Sequence, residues 1–184
     1  MIFKPAPLPG VFVIEPEPHL DNRGMFARTF CSSEMEEHGL KTRFVQCNIS
    51  FNHRRGTLGG LHWQEAPASE CKFIRCTSGA LYDVIIDMRP WSPTYLQHFG
   101  IELSAANRRM LYIPDLFAHG YQALANNTEA AYQVTEFYTP QTERGVRYDD
   151  PAFGIQWPLP VAEISEKDRS WPLFESTLRL EQTA

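Results

Sequence analysis

The sequence lacks a long apolar segment. Its richest apolar stretch, residues 81–88, is interrupted by Asp83 and Asp87 and is much shorter than the ~18–20 residues that a helix needs to cross a bilayer. The first ten residues, MIFKPAPLPG, hold three prolines where a signal peptide would have an apolar run. We therefore expect no membrane partner and a cytoplasmic protein.

Lysine is scarce, and basic residues form no long run. There are 4 lysines against 13 arginines, the net charge is −5, and the longest basic pairs are Arg54-Arg55 and Arg108-Arg109. A nucleic-acid-binding protein normally carries a basic face or stripe, so we expect no nucleic-acid partner. The planar arginine fork suits phosphate and carboxylate groups, which leaves an anionic small molecule possible.

Cysteine and cofactor motifs are also limited. The four cysteines, Cys31, Cys47, Cys71 and Cys76, include no CxxC pair and no Cys–His spacing typical of a zinc site. The chain has no GxGxxG fingerprint for a dinucleotide. With 184 residues, 43% of them hydrophobic, it can bury roughly 70% of its unfolded surface, so it needs no disulfides for stability. We therefore expect free thiols and a single domain spanning residues 1–184.

Short alternating segments dominate the chain. Fourteen prolines and eleven glycines divide it into short pieces, which favours strands over long helices. Alternation of apolar and polar residues predicts strands over residues 44–50, 72–77, 80–88, 99–103, 109–113, 120–124 and 130–138. Seven or more such strands predict a mainly β fold: a sandwich, barrel or jelly roll.

Only two helices are indicated, one toward each end of the chain. Ser33 and Glu36 form a capping-box pattern that Gly39 would end. Ser165 and Asp168 form a second helix start, and Pro172 would stop that helix.

The segment around His62 is the first candidate for chemistry. On a strand, His62 and Gln64 would share one face, and a histidine between large apolar neighbours can simply be a core residue. Jelly rolls of the cupin type often bind a metal through a His-x-His pair and a later histidine. Here the pair is His62-x-Gln64 and the later histidine is His119. Two imidazoles without a carboxylate make a poor transition-metal site, so we expect no metal.

Three further residues have competing interpretations. Lys72 lies on a predicted strand face with Ile74 and Cys76, so it is either exposed at an edge or buried for a purpose. Tyr132 and Tyr138 share a strand face, and such tyrosines serve packing more often than chemistry.

Ordered motifs extend over nearly the whole chain, from about Leu8 to Leu173. They include residues 21–26 (DNRGMF), 44–50 (FVQCNIS), 60–64 (GLHWQ), 72–76 (KFIRC), 117–120 (FAHG), 143–151 (ERGVRYDDP) and 165–168 (SEKD). On these motifs the chain resembles the dTDP-4-dehydrorhamnose 3,5-epimerase family. The resemblance implies a cupin-type jelly-roll β-sandwich with short helices near the termini, usually a homodimer, without metal or organic cofactor.

The resemblance implies enolate chemistry on a nucleotide-linked 4-keto-6-deoxyhexose. Carried over by position, His62 would be the base, and Asp168 would orient its ring; otherwise Asp168 is a helix-start carboxylate. Lys72 would stabilise the enolate oxygen, and Tyr132 would return a proton on the other face. The alternatives are a single-centre epimerase acting on a CDP or GDP sugar, a ketoisomerase, and a non-catalytic sugar-nucleotide binder.

The resemblance also implies a set of substrate contacts. Arg23 would contact the pyrophosphate, and the other positions are Phe26, Arg28, Gln46, Asn48, His119, Tyr138, Glu143 and Lys167. Two positions depart from the family pattern. Gly59 stands where the family usually has a phosphate-binding arginine, for which Arg54, Arg55 or Arg75 are possible replacements. Arg28 stands where the family often has glutamate. Because arginine only donates hydrogen bonds, Arg28 raises the hypothesis that the base is not thymine.

Overall fold

Two β-sheets form the body of the protein in the computed structural model, which describes residues 1–174. The first sheet consists, in spatial order, of β1 (Ile2–Pro5), β2 (Phe12–Glu15), β10 (Met110–Ile113), β7 (Lys72–Ser78), β12 (Thr128–Val134) and β5 (Gln46–Asn52). The second consists of β13 (Glu143–Gly145), β6 (Thr57–Gln64), β11 (Phe117–Ala123), β8 (Ala80–Asp87) and β9 (His98–Ser104).

Smaller elements flank these sheets. Strand β14 (Glu163–Ile164) pairs in parallel with β6, and β3 (His19–Asp21) pairs with β4 (Gly24–Phe26) in a separate hairpin. The helices are α1 (Ser32–Glu37), α2 (Glu166–Arg169) and the short 3₁₀ helix Pro140–Thr142. None of the helices within residues 1–174 is long and apolar enough to cross a membrane.

The main core lies between the two sheets. Inward-facing apolar residues of both sheets pack together there, among them Ile74, Leu111, Leu81 and Ile85. Because alternate residues of a strand point to opposite faces, Val84 and Ile86 of β8 point outward instead. Residues 146–157 cover that outer face, so both faces of β8 are buried. This covering segment also leads the chain back toward β6 and α2.

The predicted strands are present with shifted ends. Residues 44–50 became β5 at Gln46–Asn52, and residues 130–138 became β12 at Thr128–Val134. Strands β1 to β4, β13 and β14 were not predicted, and β6, the strand that carries His62, was considered only as a possibility and was not among the predicted ranges.

One helix prediction is confirmed and one needs correction. Helix α2 begins after Ser165, whose Oγ accepts a hydrogen bond from the Asp168 backbone N–H at 3.0 Å. Helix α1 follows Cys31 rather than Ser33, and its N-terminus has no side-chain cap. Ser33 cannot cap because it already lies within the helix.

Strands β6 and β11 approach each other unusually closely beside the candidate site. A Cβ atom on Gly60 would lie 2.5 Å from the Gly120 Cα and 2.6 Å from the His119 carbonyl oxygen, and Gly60 has φ +105°. Only glycine tolerates both the contact and that backbone conformation. This approach sets His62 and His119 opposite each other in the strand register.

Candidate active site

A cavity of about 520 Å³ opens between the two sheets, a size typical of small-molecule sites. Nine of the thirteen predicted site residues line it: Gln46, Asn48, His62, Lys72, His119, Tyr132, Tyr138, Glu143 and Asp168. We refer to this cavity as the central pocket. Residues that are far apart in the chain therefore meet in one place that is suited to a ligand.

His62 and Asp168 form a hydrogen-bonded pair in the central pocket. Nε2 of His62 donates to Oδ1 of Asp168 at 2.5 Å, and the Gly60 backbone N–H donates to the other carboxylate oxygen at 3.2 Å. Burial alone would raise the pKa of the Asp168 carboxyl, but its bond to His62 and the Gly60 N–H lower the pKa below its usual range. With Nε2 donating to a carboxylate, Nδ1 of His62 holds the lone pair that a general base requires.

Tyr132 and Lys72 belong to the opposite sheet. In that sheet Tyr132 pairs with Ile74, and Val134 pairs with Lys72. Side chains two apart on a strand share a face, so the phenol and the ammonium lie on the same inner face, diagonal to each other. His62 belongs to β6 of the second sheet. The central pocket therefore has an imidazole on one wall and a phenol with a lysine on the other.

The Tyr132 phenol is held in its protonated form. Burial raises its pKa, and the neighbouring Tyr121 and Glu70 raise it further. A protonated phenol is the form that can deliver a proton.

Lys72 has a carboxylate partner that the sequence analysis missed. Its ammonium contacts Oε1 of Glu70, and both side chains are nearly buried, with 12% and 11% exposed. Glu70 also lines the central pocket. The sequence feature that could have predicted this pair is the Glu-x-Lys spacing, because residues two apart in an extended chain lie on the same side.

A second histidine–carboxylate pair lies behind the pocket. Nε2 of His119 donates to Oδ2 of Asp83 at 2.9 Å, and Asp83 is fully buried. Burial raises the pKa of the Asp83 carboxyl, while His119 opposes that shift. The sequence analysis singled out His119 but not Asp83. An aspartate within an otherwise apolar strand was the signal for a buried partner.

The pocket mouth contains a three-residue hydrogen-bonded group. Glu143 accepts from Lys167 Nζ at 2.6 and 2.7 Å and from the Tyr138 hydroxyl at 3.0 Å. Burial would raise the pKa of Glu143, but Lys167, Tyr138 and the nearby His62 lower it. Lys167 itself is half-exposed and stands behind Glu143, outside the set of lining residues.

Two polar residues of β5 complete the wall beside Tyr132. Asn48 pairs with Tyr132 in the strand register, and Gln46 Oε1 accepts from the Tyr138 backbone N–H at 2.8 Å. Gln46 therefore anchors the segment that carries Tyr138.

Besides Lys167, three predicted contact residues do not line the pocket of their own chain. Arg23 and Phe26 lie in or beside the exposed β3–β4 hairpin, where Arg23 pairs with Asp21. Arg28 follows the hairpin, and its Nη1 donates to Glu34 at 2.9 Å. Their assignment to the substrate site within one chain is therefore not supported. The motif identified the residues, but not which side of the protein the hairpin would face.

The cation missing at Gly59 is not replaced from within residues 1–174. Gly59 lines the pocket, and a Cβ atom there would meet no other atom within 4 Å. Arg54 pairs with Glu163, Arg55 donates to the Leu124 carbonyl, and Arg75 lies on the outer face of the first sheet. The three suggested replacements thus lie outside the central pocket.

The imidazoles of the central pocket raise the question of a metal site. Among residues 1–174, no group of three or more His, Cys, Asp or Glu side chains is arranged to hold a metal ion. The amide of Gln64 is engaged by the backbone: its Oε1 accepts from the Thr139 N–H at 2.6 Å, and its Nε2 donates to the Ala68 carbonyl at 2.9 Å.

Comparison with known proteins assigns the family. The model of the family described as dTDP-4-dehydrorhamnose 3,5-epimerase matches residues 5–176. The chain belongs to this family. A family member from Methanothermobacter thermautotrophicus is 44% identical over 178 residues, covering 94% of this chain and 95% of that protein. One from Salmonella typhimurium is 38% identical, covering 98% and 100%.

Solved structures of the family share the fold. The crystal structure of the dTDP-4-dehydrorhamnose 3,5-epimerase from Bacillus anthracis with TDP and PPi bound has a TM-score of 0.91 and 37% identity, covering 94% of this chain and 99% of that one. The predicted cupin-type, mainly β fold is therefore confirmed.

Proposed function

We propose that this protein is a dTDP-4-dehydrorhamnose 3,5-epimerase, which inverts C3 and C5 of dTDP-4-dehydro-6-deoxy-D-glucose without an organic cofactor. Membership of the family supports the isomerase class and the dTDP-sugar substrate. The observation that carries the mechanism is the position of His62 and Tyr132 on opposing sheets around one pocket, with Lys72 beside the phenol.

Each inversion is a proton abstraction followed by a proton return. Nδ1 of His62 takes the proton from C3 or C5, and the electron pair of the C–H bond moves into the C4 carbonyl to form an enolate. Lys72 stabilises the negative oxygen, and Asp168 stabilises the imidazolium. As the enolate collapses, the Tyr132 hydroxyl gives its proton to the opposite face of the carbon. Exchange with water then restores both groups.

The expected result in heavy water follows from this cycle. The Tyr132 hydroxyl will carry deuterium, so deuterium will replace the protons at C3 and C5 of the product. Proton NMR will show this as the loss of both proton signals. Label at one carbon, with inversion only there, would indicate a single-centre epimerase. Migration of the carbonyl would indicate a ketoisomerase, and no exchange at either carbon would indicate a binder.

The nucleotide is tested by comparing the affinities of dTDP, CDP and GDP. We expect dTDP to bind at least about 10-fold more tightly, or ~1.4 kcal/mol. The guanidinium of Arg28, which motivated the alternative bases, already donates to Glu34. A matched Arg28→Gln variant is therefore expected to keep the same order. Tighter binding of CDP or GDP by the wild-type protein would contradict the assignment.

A homodimer completes the proposal. The lysines at the central pocket are both paired with carboxylates, Lys72 with Glu70 and Lys167 with Glu143, yet a pyrophosphate requires cations. The β3–β4 hairpin is exposed and carries Arg23 and the 72% exposed Phe26. A second copy that inserted this hairpin at the pocket mouth would supply the missing positive charge. We also propose that the enzyme works in the cytoplasm, where nucleotide sugars are made.

A further inference from the structure

Within residues 1–174, Glu70 is the carboxylate that pairs with Lys72, and the mechanism above gives it no task. It contacts the Lys72 ammonium, and only 11% of its side chain is exposed. Taking a carboxylate out of water costs free energy that its partners have to offset. The Lys72 ammonium is such a partner, so the buried Glu70 carboxylate and the ammonium stabilise each other.

The contacts of Glu70 connect the lysine to β6 of the opposite sheet. Its Oε2 accepts from Gln64 Nε2 at 3.3 Å. Gln64 is 2% exposed, and its two Nε2 hydrogens are shared between Glu70 and the Ala68 and Phe137 carbonyls, whose oxygens lie 2.9 and 3.2 Å from Nε2. The Lys72 ammonium therefore has a fixed anchor on the second sheet, although its own strand belongs to the first.

We infer that Glu70 is a positioning residue that fixes the Lys72 ammonium at the carbonyl of the bound ketosugar and balances its charge beside the Tyr132 phenol. This inference rests on the proposed epimerase function. A lysine has a flexible four-carbon stem, so an unanchored ammonium would sample many positions. Because enolate stabilisation depends on placement before the reaction, the anchor contributes directly to rate.

The charge of Glu70 also acts on Tyr132. The titratable and charged groups that line the central pocket with Tyr132 are Glu70, Lys72, His62, His119, Tyr121, Tyr138, Glu143 and Asp168. A negative charge nearby disfavours a phenolate, and Glu70 is one of the causes that raise the pKa of Tyr132. Removing that charge would also leave the Lys72 ammonium unbalanced. Both effects favour the phenolate, which cannot donate a proton.

The test compares Glu70→Gln, Glu70→Asp and the matched control Glu65→Gln. Glu65 belongs to the same loop, but it is 44% exposed and pairs with Arg144 outside the pocket. For Glu70→Gln we expect kcat to fall about 10-fold to 100-fold, less than the ~10²–10³ lost with a transition-state donor itself. KM and dTDP affinity should change by less than about 3-fold.

The pH profile separates positioning from a merely structural role. In Glu70→Gln the alkaline fall of kcat should move to lower pH, because the Tyr132 phenol loses its proton more readily. Glu70→Asp keeps the charge and should restore the profile and part of the rate. Glu65→Gln should match the wild type in both. A wild-type rate and profile in Glu70→Gln would overturn the inference.

An NMR measurement keeps the two proposals distinguishable. The Lys72 ammonium, assigned by its loss in Lys72→Gln, should give a protected ¹H–¹⁵N signal in the wild type and in Glu65→Gln. It should broaden or vanish in Glu70→Gln. If the wild type exchanged no ketosugar proton while this pattern held, the function would fail and the anchoring would stand. If the signal persisted in Glu70→Gln, the anchoring would fail and the function would stand.

Discussion

His62→Ala is expected to abolish deuterium exchange into the ketosugar. In the proposed mechanism the imidazole is the base on its wall of the pocket, and general bases contribute about 10²–10⁴ in rate. We expect kcat to fall roughly 10³-fold to 10⁴-fold, toward the upper end of that range, because both centres depend on the same Nδ1. The measurement is the rate of proton loss at C3 and C5 in heavy water.

Two controls limit the interpretation of that result. His98→Ala removes an exposed imidazole from β9, outside the central pocket, and should leave the exchange rate unchanged. The affinity of His62→Ala for dTDP should stay within a few-fold of wild type, which shows that the pocket is intact. If His62→Ala kept a tenth or more of the wild-type exchange, another group would be the base.

Tyr132→Phe should separate exchange from inversion. The phenyl ring keeps the packing but removes the only hydroxyl proton of that side chain, and His62 can still take the substrate proton. We therefore expect washout of substrate protons to continue, while formation of the inverted product falls about 10²-fold to 10³-fold, as for loss of a catalytic acid. A time course of NMR spectra measures both rates: the loss of the C3 and C5 proton signals gives the exchange rate, and the appearance of the inverted diastereomer gives the inversion rate.

The matched control for this variant is Tyr95→Phe. Tyr95 lies in the loop between β8 and β9, outside the central pocket, and its variant should epimerise at the wild-type rate. Thermal unfolding of both variants checks that the fold is retained. Normal inversion by Tyr132→Phe would mean that a different group, or water, returns the proton.

The strands could be predicted from sequence, but their ends could not. Alternation identified the two faces of β8, and the structure buries Leu81 and Ile85 on one side and Val84 and Ile86 on the other. Strand ends depend on where the pairing partner stops. For example, β12 ends at Val134, which pairs with Lys72, the first residue of β7.

The sequence could predict which residues form the candidate site, but not how they are arranged. The motifs named His62 and Asp168, yet 106 positions separate them in the chain. Their contact depends on the return of residues 146–164 across the second sheet. The same limit applies to Arg23 and Phe26, whose predicted contact with the substrate stays a prediction: they do not line the pocket of their own chain, and sequence order does not say toward which side a hairpin folds.

Composition and apolar alternation predicted a mainly β chain, and the ordered motifs indicated the family and the reacting groups that we propose. Only the packing of two sheets decided that the imidazole and the phenol lie on opposing walls and that Glu70 holds the lysine. It also decided that Asp83 supports His119. These relations join residues distant in sequence, and each depends on register and side-chain direction. Register and side-chain direction are fixed only when the strands have paired and the core is buried. The native arrangement minimises the free energy of the whole chain rather than that of any one segment.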